Sequence, residues 1–522
     1  MNKTRISVAF LVLSIFLITG TAHAQMTSAQ VDQFMDKVMK KFNVAGAAVG
    51  IVKDGKIIYE KGFGVRSILT KLPVNENTNF AIASNSKAFT TTALAMLVEE
   101  GKLAWTDKVR DYIPEFTMYN DYVAANFNIQ DLLTHRSGLG LGAGDLMIFP
   151  DGSDFTMKDI LANFQYMKPV SAFRTKFDYD NLLYLVAGEL IARVSGMSWE
   201  DFVTKRIFEP LQMENTYASM AAIKDKSNLS IPHSSGSGSI RPLPNYQDMV
   251  NGAAGGIISN VDDLCNWMLV HLNHGTYGEN LEKQLFSAAS QREMWKIHTV
   301  TDANLNPRYN SHFAGYGLGW GLTDLKGYLS VSHTGGLPGM LSETFMIPDL
   351  NLGVVVLTNT ENDGAALFSA VTQTIVDSYL GLDDFDWTEK YFARFQARQN
   401  VGDSVTMKVW ETVKTADNSH IDAGEYIGLY EDKWFGKMEV FKKGNQLWIK
   451  SIRSPKLTGQ MHFYKANSFA VKWEYQDMNA DAFAIFSLDE EGKAQSIRMK
   501  GISPDIDFSF DFQDLDLRRI KK

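Results

Sequence analysis

Cysteine is nearly absent: Cys265 is the only one in 522 residues. A single thiol rules out an internal disulfide, so the core must carry the stability unaided. Cys265 lies in an apolar helical stretch and reads as structural filler rather than as a nucleophile. Clusters of lysine and arginine are missing as well. The formal charge of −9 becomes −11 once Lys3 and Arg5 leave with the first 24 residues, and so acidic a chain offers nucleic acid no electrostatic footprint. Beyond residue 24 no apolar run reaches the roughly 20 residues of a membrane-spanning helix. His-Glu-x-x-His and Gly-x-Ser-x-Gly are both absent, which removes a zinc signature and the other common serine-hydrolase signature. His271 and His274 stand three apart without a third ligand and read as solvated surface. Neither a metal nor another cofactor is expected. Gly138, Gly140, Gly142 and Gly144 alternate without a phosphate-loop pattern and read as a flexible loop.

What is present starts with an address. Lys3 and Arg5 precede an apolar run from Ile6 to Ile18 and a small-x-small site at Ala22-His23-Ala24. That order predicts an export signal cut after Ala24, hence a periplasmic or secreted protein. With 45% hydrophobic and 21% charged residues the remainder is ordinary globular sequence, too long for one core.

Thr27 and Gln30 form a capping box before a helix over 29–42. Residues 45–53 and 56–65 read as strands joined at Asp54-Gly55, a hairpin signal. Apolar spacing then predicts helices from Ser84 to about Glu100, over 181–194, from Ser198 to near Pro210, over 261–272 and over 365–380. Strands return at 327–333, 341–347 and 352–358. Hairpins at both ends with helices between predict an α+β fold: one antiparallel sheet flanked by helices, plus a helical lobe. Residues 384–418 read as a helical connector, and the short strands after it as a small all-β barrel. Ile506, Phe508, Phe510 and Phe512 alternate with polar residues and read as one of its strands, bulged before Leu515 and Leu517. The division is therefore 1–24 signal, 25–383 first domain, 384–418 connector and 419–522 barrel.

Three short motifs carry chemistry. In Ser84-Asn85-Ser86-Lys87 the first and last residues share a helix face, and a neutral amine there could take the hydroxyl's proton. Burial and the positive end of the helix both favour that neutral form. Ser86, one position from Lys87, does not face it. In Tyr179-Asp180-Asn181 the phenol could act as a base if a cation such as Lys87 stabilised its phenolate. Asn181 could donate to a substrate carbonyl, or merely cap the helix it opens. His333-Thr334-Gly335-Gly336 ends a strand; Thr334 can hold a polar group, and the glycines admit a substrate backbone or simply make a turn.

In order and rough spacing these motifs resemble those of the penicillin-recognising serine hydrolases. The stretches IQDLLTHRSGL (129–139), IFEPLQMENT (207–216), AAGGIISNVDDLCNW (253–267) and HTGGLPG (333–339) are similar too. Over residues 25–380 the chain resembles the β-lactamase-related family: class C β-lactamases, DD-carboxypeptidases, D-aminopeptidases and related esterases. The resemblance implies acyl transfer, with Ser84 as nucleophile and Lys87 and Tyr179 moving protons. Asn181, His333, Thr334 and Gly335 would bind substrate, and the backbone N–H groups of Ser84 and Gly336 would form the oxyanion hole. Class C β-lactamases usually carry lysine where this chain has His333, so the peptidase members are the better match. The expected partner is a small peptide or ester, with cell-wall peptides and β-lactams among the candidates. An esterase or weak β-lactamase, and a non-enzymatic penicillin-binding receptor or scaffold, are the alternatives. The C-terminal unit resembles the lipocalin-like domains appended to some of these peptidases, which leaves a homo-oligomer through that unit open.

Overall fold

A computed structural model describes residues 25–522, apart from 237, 248–249, 304–305, 420 and 521–522. The expected export signal lies outside the described residues. Helix α1 (Ser28–Lys41) opens with the predicted capping box between Thr27 and Gln30. Strands β1 (Gly46–Lys53) and β2 (Lys56–Gly64) form the predicted hairpin. Asp54 and Gly55 both take positive φ in its turn, as a two-residue turn that follows strand twist requires. Next come the central helix α2 (Ser86–Glu99), α3 (Leu182–Ser195) and α4 (Val261–Leu272).

The sheet is completed by β3 (Thr299–Thr301), β4 (Ala314–Tyr316), β5 (Gly321–Leu325), β6 (Tyr328–Leu337), β7 (Met340–Ile347) and β8 (Leu352–Thr358). Its order is β2-β1-β8-β7-β6-β5-β4-β3, with every pairing antiparallel. Three of these strands, β3 to β5, are new relative to the sequence reading. They are only three to five residues long, too short for alternation to register. Strand β6 also runs to Leu337 rather than stopping at His333, so the two glycines lie inside a strand and not in a turn.

Every residue of β1 but the last is buried, because helices cover both faces of the sheet. Ala47, Val49 and Ile51 meet α1 and α5 (Asp363–Tyr379), whereas Ala48 and Val52 join the core of the helical lobe. Cys265 is buried where α4 crosses β1, and a side chain at Gly50 would stand 2.6 Å from its sulfur. Burial pushes the thiol well above its usual range, consistent with filler. His271 corrects the surface reading of that helix end. It is fully buried among Trp267, Phe286 and Trp320, and desolvation drops it to about 3. Among the described residues no group of three His, Cys, Asp or Glu side chains could hold a metal, and no helix is long and apolar enough to cross a membrane.

The connector is the helix α6 (Trp387–Thr415). Beyond it eight strands, from β9 (Gly428–Asp432) to β16 (Leu517–Arg519), close into a barrel. Closure is made by β9 against β16, with Tyr430 opposite Arg519. The expected strand over 506–512 is not one. Residues 502–511 form a loop that leaves the barrel, and a 3-10 turn (Phe512–Asp514) follows it. The alternation has another cause: Phe510 and Phe512 join the apolar core while Ser509 and Asp511 bond to the first domain.

Candidate active site

Ser84 lies in a 3-10 turn (Ala83–Asn85) directly before α2. Ala83 holds φ +49°, a left-handed conformation that costs a non-glycine residue energy and recurs at functional turns. The turn is pinned from two sides. Ser342 Oγ donates to Ile82 O at 2.7 Å and accepts from Asn85 Nδ2 at 2.8 Å. Ile82 N bonds to Ile257 O, and Ser86 Oγ accepts from Ile257 N. Ser86 is thus a structural residue.

One turn on, Lys87 is completely buried. Its Nζ lies 3.1 Å from Ser84 Oγ, 2.8 Å from Asn181 Oδ1 and 2.7 Å from Ala254 O. Burial lowers its pKa to about 7, against the upward pull of Asp145 and Asp180. A neutral amine has two N–H bonds and one lone pair. The two carbonyl oxygens take the N–H bonds, which leaves the lone pair for the Ser84 hydroxyl.

Tyr179 stands beside Ser84, whose hydroxyl favours the phenolate, and its ring lies 4.8 Å from Lys87 Nζ. Burial raises the phenol well above its usual range despite the Ser84 contact. Burial thus disfavours the phenolate that the sequence allowed and leaves the Lys87 amine as the group able to take a proton near neutral pH. His135 stacks 4.1 Å from the Tyr179 ring and accepts from Asp180 N at 3.0 Å, fixing the turn that carries Tyr179. Asn181 is placed at the cap position of α3 but makes no side-chain cap bond. Asp180 accepts from Leu183 N in its stead. The Asn181 amide clamps the lysine with Oδ1 and donates through Nδ2 to Asp145 Oδ2 at 2.7 Å.

Strand β6 forms the opposite wall. Gly335 packs against the nucleophile turn so closely that a Cβ would lie 2.1 Å from Ile82 O. Thr334 and Gly336 are exposed on the other face. His333 is buried, with Nε2 on the Tyr316 hydroxyl at 2.8 Å and Nδ1 on Thr334 O at 2.6 Å. Burial first, then Lys87, drops it to about 3, so the ring is uncharged at neutral pH.

Asp145, His135, Tyr316 and Ala254 escaped the motif reading. Asp145 ends the alternating glycines, and that stretch is a largely buried wall of the site rather than a free loop. A run of four glycines leading to one aspartate was the available signal. The other omission comes from the barrel. Phe508 meets the Tyr179 ring edge-on at 5.9 Å, Ser509 Oγ donates to Asp145 Oδ2 at 2.9 Å, and Asp511 accepts from Gly144 N and Leu146 N.

Comparison with known proteins agrees with this geometry. Residues 31–373 match the family model described as Beta-lactamase, and residues 412–519 match a domain of unknown function (DUF3471). An unguisins hydrolase of Aspergillus campestris is 27% identical over 418 residues, covering 76% of this chain and 74% of that protein. The protein flp of Staphylococcus aureus is 27% identical over 338 residues, covering 64% and 63%. The octameric penicillin-binding protein homologue from Pyrococcus abyssi superposes with a TM-score of 0.59 at 21% identity, covering 94% of this chain and all of that one. A class C beta lactamase from Rhodobacter sphaeroides gives 0.54 at 19% identity, over 67% and 99%. The matched model spans well over half the sequence and contains Ser84, Lys87, Tyr179 and His333: the chain belongs to the beta-lactamase family.

Proposed function

We propose that the protein is an exported serine hydrolase that cleaves amide or ester bonds through an acyl-enzyme on Ser84, and that D-amino-acid or cell-wall peptides are its substrates. One observation carries the reading: a fully buried amine near half-neutrality at pH 7 stands 3.1 Å from the hydroxyl. In the proposed cycle Lys87 Nζ takes the Ser84 proton as Oγ attacks the carbonyl. The backbone N–H groups of Ser84 and Gly336 hold the oxyanion. Tyr179, protonated throughout the resting state, gives its proton to the leaving group and is reprotonated by Lys87, which returns to the neutral amine. Water then repeats the sequence in reverse. Thr334, Gly335, Asn181 and His333 line the path of the substrate. His333, with both ring nitrogens engaged and the ring uncharged, supplies no fixed cation, which favours substrates that need none. Two of the relatives point the same way, one named a hydrolase and one a penicillin-binding protein homologue.

The test is turnover of a p-nitrophenyl ester beside D-Ala p-nitroanilide, with the acyl-enzyme weighed by intact mass spectrometry. Ser84→Ala is expected to abolish both reactions and the mass shift; turnover surviving that substitution overturns the proposal. Ester turnover without the anilide would replace the peptidase reading by an esterase. Export is checked by an N-terminus at Gln25 in a periplasmic or culture fraction. Assembly of copies through the barrel, which the appended-domain resemblance leaves open, would show as an oligomer by light scattering.

A further inference from the structure

The barrel reaches the lysine through a short chain of side chains. Ser509 Oγ donates to Asp145 Oδ2 at 2.9 Å, and the same oxygen accepts from Asn181 Nδ2 at 2.7 Å. Asn181 Oδ1 in turn accepts from Lys87 Nζ at 2.8 Å. Asp511, two residues beyond Ser509, accepts from the backbone on both sides of Asp145: from Gly144 N at 2.7 Å and Leu146 N at 3.0 Å. Ser509, Asp145 and Asn181 are all buried, as is Asp511. The approach is close, since a side chain on Gly142 would stand 2.7 Å from Phe508 O.

Which way the Asn181 amide faces decides what Lys87 can do. With Oδ1 toward the amine, Asn181 takes an N–H and the lone pair stays on Ser84. With the amide turned over, its N–H would point at the lone pair and occupy it. The orientation depends on Asp145 Oδ2 being an acceptor. That is a demanding condition, because burial raises both Asp145 and Asp511, with Asp180 adding to the effect on Asp145, and Asp145 itself and then Asp514 to that on Asp511. A protonated Asp145 Oδ2 could donate to Asn181 and turn the amide. Ser509 donates to that oxygen and keeps it an acceptor. Asp145 Oδ1 has no partner, so no second donor replaces the serine.

We propose that Ser509 and Asp511 of the C-terminal barrel are positioning residues for acyl transfer: they hold Asp145 so that the Asn181 amide presents its oxygen, not its nitrogen, to Lys87. The inference rests on Ser84 being the nucleophile proposed above. Its test uses the full-length protein and two readouts: the rate at which a fluorophosphonate labels Ser84, followed by intact mass, and kcat and KM on a p-nitrophenyl ester. Ser509→Ala is expected to slow labelling and kcat about tenfold, the effect of one lost hydrogen bond to a charged group, with KM within about twofold. Ser509→Gly removes the same hydroxyl without added bulk and carries the same expectation. Ser509→Thr keeps the hydroxyl and should restore most of the rate. In an Asn181→Ala background the Ser509→Ala change should add nothing. Unchanged rates in Ser509→Ala, or the same loss in the Asn181→Ala background, would overturn the positioning role alone. A parent protein that is not labelled at Ser84 would overturn the nucleophile assignment and this inference with it.

Discussion

Lys87 has three hydrogen-bond partners, and none carries a charge. Burial therefore dominates and brings the amine from its ordinary 10.5 to about 7. In the proposed cycle the base is the unprotonated form, so kcat/KM should fall as pH drops below about 7, and Lys87→Ala should cost about 10²- to 10⁴-fold in kcat. The same shift has a stability signature. Between pH 7 and 10.5 the unfolded chain holds a proton on this lysine that the folded one has released, so folding stability rises with pH across that window. Lys87→Met should remove that rise, of the order of 4 kcal/mol, in denaturant titrations at pH 7 and 10; equal slopes in variant and parent would refute it. His333 makes the opposite prediction. Held neutral down to about 3, it contributes no ionisation between pH 6 and 8, and His333→Gln should leave the shape of the pH–KM profile in that range unchanged.

At the scale of elements, the site is a meeting of three: the turn before α2, the turn before α3, and strand β6. The first and second announced themselves in sequence because a helix start gathers its chemistry within four residues. Ser84 and Lys87 are one such pair, and Tyr179 and Asn181 flank the other start. The third was legible as a motif at a strand end, but not as the middle of a strand, because Gly335 and Gly336 carry no side chains for alternation to register. Their role is spatial. Gly335 lets β6 lie against Ile82, the residue two before the nucleophile. Gly335→Ala should force the strand away from the turn, destabilising the fold by about 2 kcal/mol or more and lowering acylation in parallel. Chemical denaturation with fluorophosphonate labelling would check both; a stable, fully reactive variant would show that the strand has room to move.

Across the whole molecule, one apolar core runs from the helical lobe into the barrel, and a second lies on the far face of the sheet. Asp511 ties the two domains with both of its oxygens, while Arg453 bridges Asp154 and Asp159. A joint so extensive predicts a single calorimetric unfolding transition for both domains. Asp511→Ala leaves two buried N–H groups unpaired, and should cost about 2–4 kcal/mol. A separate barrel transition in the unmutated protein would show that the domains unfold independently.

The amino-acid sequence by itself determined the two-part architecture, the main helices, the outer hairpins and the chemistry-bearing triplets, because those depend on neighbours within one turn of helix or one strand repeat. Only the tertiary structure decided the electrostatics. A lysine, a tyrosine and a histidine written identically in any sequence had their proton affinities moved here by the surroundings that distant segments supplied. It also decided that residues 506–512 leave the barrel to support the site, since Asp145 and Ser509 stand 364 positions apart. No local periodicity records which oxygen a folded chain will bring within reach of which hydroxyl.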